Sequence, residues 1–91
     1  MTKNQALAAM NFQIDGQQHT AHLERDPGTR HYVVKVDGQA LWTRSAGLLG
    51  FRGQFPVLGC RCHVQGITLG GLLTRYRLSL QCPNRPTIAG S

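Results

Sequence analysis

The fold is decided by the stretch MNFQIDGQQHTAHLER, residues 10–25. Apolar and polar side chains alternate along it, so Met10, Phe12 and Ile14 fall on one side of an extended chain. Its central Asp-Gly pair supplies the two residue types that tight hairpin turns favour, because both tolerate positive φ. The stretch therefore predicts two antiparallel strands joined by a two-residue turn, with one face of the hairpin buried.

The alternation continues beyond this hairpin. A second turn is predicted at DPGT, residues 26–29, where proline fixes φ and glycine accepts positive φ. Residues 30–36, RHYVVKV, alternate again, Asp37-Gly38 repeats the hairpin signal, and QALWTR follows at 39–44. The first 44 residues therefore predict a four-stranded meander.

The rest of the chain is less regular. Residues 54–66 and 72–82 alternate and predict two further strands. Three glycines lie in SAGLLGFRG, residues 45–53, which favours a loop or a single helical turn. Residues 1–8 suit an arm or a short helix, and residues 83–91, with two prolines, suit an extended tail.

Chain length and glycine content agree with this pattern. Ninety-one residues make one small domain, and eleven glycines with four prolines suit many short elements. We expect residues 1–91 to form a single all-β domain, with at most one short helix. Its six or so mainly antiparallel strands comprise a meander and a C-terminal hairpin, folded as a small barrel or a sandwich.

The faces of the C-terminal hairpin predict its register. A two-residue turn would place apolar residues opposite polar ones, which strand pairing disfavours. One extra residue, as a bulge at Gly66, restores the match. It predicts Cys62 opposite Leu78 and Cys60 opposite Leu80 on the inner face.

The chain has three cysteines, at 60, 62 and 82. On a strand, Cys62 and His63 point to opposite faces and cannot share a metal ion. The Cα atoms of Cys60 and Cys62 would lie about 6.5–7 Å apart, at the edge of disulfide geometry. In the predicted register Cys82 is diagonal to Cys60, again near that edge. We therefore expect three buried free thiols, no metal and a cytoplasmic location.

Charge is distributed unevenly. Ten Lys and Arg face four acids, a net charge of +6, and every acid precedes residue 38. Such a chain attracts phosphate groups, acidic proteins or anionic surfaces. Because no apolar run approaches the roughly 18 residues of a membrane span, we expect no membrane partner.

No residue set suggests catalysis. Asp15, Asp26 and Asp37 lie in predicted turns, which leaves Glu24 without a second carboxylate for acid–base work. No nucleophile stands beside a base, and no phosphate-binding glycine loop is present. We expect a protein that is not an enzyme and needs no cofactor.

The outward residues of the C-terminal hairpin are the best functional lead. They form a basic surface that we predict to bind nucleic acid or another polyanion, because arginine binds phosphate bidentately. The simplest alternative is that these arginines only solubilise the sheet. The predicted binding residues are Arg61, His63, Arg75 and Arg77, extended by Lys35, Arg44 and Arg52.

Two other functions fit the sequence. Apolar side chains in the loop segments predict a patch for protein interaction or homodimerisation. A curved sheet or barrel mouth would suit a small ligand. The predicted apolar patch comprises Trp42, Leu48, Leu49, Phe51 and Phe55.

Overall fold

The computed structural model describes residues 6–45, 50–69 and 73–90, and the described chain is all-β. Within these ranges no helix is long and apolar enough to span a membrane. The strands are β1 (Ala8–Ile14), β2 (Gln17–Arg25), β3 (Tyr32–Val36), β4 (Gln39–Arg44), β5 (Gly50–Val57), β6 (Cys60–Leu69), β7 (Leu73–Gln81) and β8 (Ile88–Gly90).

The strands form two antiparallel sheets of four, each a meander in chain order. The first sheet is β1-β2-β3-β4 and the second is β5-β6-β7-β8. Their inner faces share one hydrophobic core, and they do not close into a barrel. Of the two predicted alternatives, a barrel and a sandwich, the structure is therefore a sandwich. The described residues form eight strands, whereas about six were predicted.

The first meander confirms the prediction from residues 10–25. Ile14 pairs with Gln17 across a turn in which Asp15 and Gly16 have φ of 51° and 78°. The second predicted hairpin, centred on residues 37 and 38, has the same geometry. At the N-terminus, residues 1–5 lie outside the described residues, and β1 already begins at Ala8, within the predicted arm or short helix.

The segment after the first meander differs from the prediction. Residues 50–53 belong to β5, whereas the sequence suggested a loop there. The predicted strand over residues 54–66 is broken by a turn at Leu58 and Gly59, with φ of 52° and 83°. Leu58 is 58% exposed in that turn instead of lying on the inner face. Alternation could not reveal the break, because leucine seldom adopts positive φ.

The register of the C-terminal hairpin is shifted by two residues from the predicted one. Cys62 lies opposite Leu80, and Val64 lies opposite Leu78. The pairing is continuous, so the predicted bulge at Gly66 is wrong. Because side chains alternate with a period of two, a two-residue shift keeps every inner residue inside. The faces were therefore predicted correctly and the partners were not.

This register brings two cysteines together. Cys60 and Cys82 form a disulfide, with their Cα atoms 4.4 Å apart. The prediction of three free thiols is thus wrong, and Cys62 is the only free thiol among the described residues. Burial raises the pKa of Cys62 to about 11. A cytoplasmic location stays a prediction, but it loses its premise, since disulfides persist mainly in oxidising compartments.

The C-terminal tail forms β8, which the sequence did not indicate. Ile88 pairs with Leu80 at the edge of the second sheet. The Arg85 guanidinium donates a hydrogen bond to the backbone oxygen of Gln13, 3.1 Å away in the first sheet. The tail therefore links the two sheets along one side of the sandwich.

Aromatic rings fill the other side of the core. Tyr32 and Phe51 stack with their ring centroids 4.2 Å apart, joining the two sheets. The Phe51 ring lies directly on Gly66, where a Cβ atom would overlap it. Trp42 covers Gly53 in the same way. Gly53 and Gly66 therefore provide the close approach that these rings require.

Candidate polyanion-binding face

Charge is segregated between the two sheets. Residues 6–45, which form the first sheet, contain four acidic residues and four Lys or Arg residues, so their charges balance. Residues 50–90, which form the second sheet, contain five arginines and no acidic residue. Almost the whole excess positive charge of the chain therefore lies on the second sheet.

The second sheet presents these arginines on its outer face. Alternate residues of β6 and β7 point into the core, with Val64 and Leu78 fully buried. The residues between them point away from the first sheet, and none of them is buried. We call this surface the basic face; its members on β5, β6 and β7 are Arg52, Gln54, Pro56, Arg61, His63, Gln65, Ile67, Arg75, Arg77, Ser79 and Gln81.

Three of its arginines converge. Gln65 pairs with Arg52 on one side and with Arg77 on the other, so the three residues form one row across the sheet. Adjacent strands lie about 4.8 Å apart, which places Arg52 and Arg77 about 10 Å apart. Arg75 lies two residues further along β7, about 7 Å from Arg77. Arginine side chains are long enough to bring these three guanidinium groups onto one ligand.

The other two predicted hairpin residues lie further along the sheet. His63 is half-buried opposite Ser79, one outward position from the row of Gln65. Arg61 lies opposite Gln81, four residues from Gln65 and therefore about 13 Å along β6. The structure brings together only part of the predicted set, because the true register moves Arg61 away from the β7 arginines.

Two arginine or lysine residues of the first sheet were also predicted to join the site. The Arg44 guanidinium donates a hydrogen bond to the backbone oxygen of Arg52, 2.6 Å away, and lies at the edge of the basic face. Lys35 does not join it, since it projects from the first sheet and its Nζ lies 3.2 Å from the Glu24 carboxylate. Lys35 is therefore removed from the predicted site.

The guanidinium groups of the basic face have no partner in the part of the chain that the structure describes. Both ion pairs of that part lie in the first sheet, at His19–Asp37 and Lys35–Glu24. The side chains of Arg52, Arg61, Arg75 and Arg77 are exposed and make no hydrogen bond or ion pair there. Arginine stays charged at any physiological pH, so their donors are available to an anion.

The predicted apolar patch is not exposed as expected. Phe51 and Phe55 are buried in the core, and Trp42 packs half-buried against both rings. Leu48 and Leu49 lie outside the described residues. The large apolar side chains that the structure does expose lie on separate elements: Leu41 on β4, Leu58 in the β5–β6 turn and Ile67 on β6.

A hydrogen-bonded His–Asp pair is present that the sequence did not suggest. His19 Nδ1 lies 2.6 Å from one Asp37 carboxylate oxygen, and the Thr20 amide donates to the other at 3.0 Å. These two hydrogen bonds, the first above all, lower the pKa of Asp37. The Phe12 ring stacks on His19, so the pair fastens the β3–β4 turn to the β1–β2 hairpin. We assign it a structural role.

No group of three His, Cys, Asp or Glu side chains among the described residues could hold a metal ion.

A surface depression of about 710 Å³ lies where β8 ends, beside the basic face. Its lining residues are Leu7, Ile67, Arg75, Tyr76, Arg77, Ala89 and Gly90.

Comparisons with protein families, with curated proteins and with solved structures find no match to this chain.

Proposed function

We propose that the protein is a non-catalytic polyanion-binding protein, with nucleic acid as its ligand and the basic face as its binding surface. One observation carries the proposal. Four exposed arginines lie on a sheet that has no acidic residue, and none of them has a partner among the described residues. Arginines that served only solubility would be expected to interleave with acids, as they do on the first sheet.

Binding would follow from geometry and charge alone. Arg52 and Arg77 flank Gln65, so each guanidinium can bind a phosphate of its own while the Gln65 amide donates to a phosphate oxygen between them. Arg75 and Arg61 would contact neighbouring phosphates. Each contact releases counterions from the polyanion, so affinity depends on salt concentration.

The test is binding of labelled oligonucleotides, followed by fluorescence anisotropy, between 50 and 200 mM salt. We expect log affinity to fall linearly with log salt, and the double variant Arg52→Gln/Arg77→Gln to show a shallower slope. Arg30→Gln, which removes one positive charge from an exposed turn of the first sheet, is the matched control for the single substitutions Arg52→Gln and Arg77→Gln. Circular dichroism checks that each variant folds.

Two results would contradict the proposal. One is the absence of binding to any oligonucleotide at 50 mM salt. The other is equal weakening by Arg30→Gln and by single substitutions on the basic face, which would show that only net charge matters.

Protein interaction, self-association, small-ligand binding and a cytoplasmic location remain predictions. Sedimentation at high protein concentration tests self-association directly, and a monomer there would speak against a homodimer.

A further inference from the structure

We infer that the ligand is a duplex, held through its phosphates and not through its bases. This inference rests on the proposed function and narrows it. Three features of the basic face support it: the lack of aromatic side chains, the presence of arginines on both sides of β6, and the polar side chains between them.

All six aromatic residues of the chain lie in the described part, and none is on the basic face. Four are buried in the core, and the other two pack half-buried against it. Surfaces that hold single strands combine basic residues with aromatic rings on which the bases stack. The basic face therefore offers a single strand charge and hydrogen bonds, without the base stacking that contributes about 1–3 kcal/mol per base.

Three of the four arginines lie on the two sides of β6, and the fourth, Arg61, lies on β6 itself. Arg52 projects from β5, and Arg75 and Arg77 project from β7, about 10 Å across the sheet. A duplex presents phosphates along both edges of each groove, and the grooves are about 6 and 12 Å wide. Arg52 on one side and Arg75 with Arg77 on the other, about 10 Å apart, can contact two such edges, whereas a single backbone offers one line of phosphates.

Polar side chains other than arginine occupy the middle of the face. Gln54, His63 and Ser79 form one row, next to the row of Gln65. Side chains of these types commonly donate to phosphate and sugar oxygens. Such contacts carry no sequence information, so binding should not depend on base sequence.

The charge count predicts the salt dependence. Four phosphate contacts, by Arg52, Arg61, Arg75 and Arg77, give a slope of about −3.6 for a DNA duplex, or about 150-fold weaker binding at 200 than at 50 mM salt. The same contacts on a single strand give a slope of about −2.8. Losing one contact should weaken duplex binding about eightfold at 100 mM salt.

The experiment compares four probes on the intact protein at 100 mM salt: a 20-base-pair DNA duplex, an RNA duplex of the same sequence, a single-stranded 20-mer of thymidine, and a sulfated polysaccharide. We expect the better duplex to bind at least tenfold more tightly than the single strand, and a second duplex of unrelated sequence to bind within about threefold. The DNA and RNA arms show which duplex geometry the face prefers.

Single substitutions Arg52→Gln and Arg77→Gln extend the test to the two sides of β6. Each should weaken duplex binding by about the predicted eightfold, while Arg30→Gln should leave it unchanged. If duplex binding weakens in Arg77→Gln but not in Arg52→Gln, the ligand contacts only one side of β6. That result would overturn the inference.

The other outcomes separate the inference from the proposed function. Equal or tighter binding of the single strand would overturn the inference and leave polyanion binding intact. Binding of the polysaccharide with no preference for a duplex would do the same. Failure of all four probes to bind would overturn both.

Discussion

Breaking the Cys60–Cys82 disulfide should cost about 3 kcal/mol of the free energy of unfolding. The bond joins residues 22 positions apart in sequence. A closed loop of that size restricts the unfolded chain by about 11 cal/mol/K, which is about 3.4 kcal/mol at 25 °C. For a domain of this length, that loss corresponds to a fall in Tm of roughly 12–25 °C. Urea denaturation, followed by circular dichroism, measures the difference between wild type and Cys60→Ala/Cys82→Ala.

A double-mutant cycle isolates the bond from the packing of the two half-buried sulfur atoms. Because either single substitution already breaks the bond, Cys60→Ala, Cys82→Ala and the double variant should each cost about 3 kcal/mol. Reductant should destabilise wild type and Cys62→Ala by a similar amount and leave the double variant unchanged. The opposite result would be a cost below about 1 kcal/mol for each single substitution, additive in the double variant, with no response to reductant. That result would refute the Cys60–Cys82 pairing and the strand register that produces it.

Three further predictions concern single residues. A thiol reagent should find no reactive thiol in the native protein, because burial raises the pKa of Cys62 to about 11. It should find one thiol after unfolding and three after unfolding with reduction. A native thiol that reacts rapidly would contradict this. Leu58→Asn should raise the free energy of unfolding by about 1 kcal/mol. Leu58 is exposed and has a φ of 52°, and asparagine adopts positive φ more readily than leucine does. A lower urea midpoint for this variant would contradict the prediction. The lowered pKa of Asp37 stabilises the fold above the ordinary carboxyl pKa, and this contribution is lost as pH falls through the lowered value. Asp37→Asn should therefore lose less stability than wild type between pH 7 and pH 2, and identical pH profiles would contradict the assignment.

Strand faces were predictable because they depend on local alternation. Phe12, Leu23, Val34 and Val64 are buried where the period of two places them. The two Asp-Gly turns were predictable for a similar reason, since a single dipeptide signals its own backbone conformation. The turn at Leu58 was not, because the pairing of Val57 with Cys60 places positive φ at a residue that does not favour it.

In the candidate site, too, some features were predictable from the sequence and others were not. The outward orientation of Arg61, Arg75 and Arg77 follows from alternation, and the structure confirms it. Which of them converge depends on register, and a two-residue shift preserves the faces while changing every partner. That shift separates Arg61 from the β7 arginines and brings Arg52 into line with Arg77.

The sequence by itself determined the all-β class, the inner and outer face of most strands, and the concentration of positive charge after residue 38. These properties follow from side-chain chemistry and from a period that each strand carries alone. Only the tertiary structure decided the strand partners, the disulfide, the eighth strand and the position of Lys35 away from the basic face. Each of these depends on how two distant segments align, and local alternation is equally satisfied by alignments two residues apart.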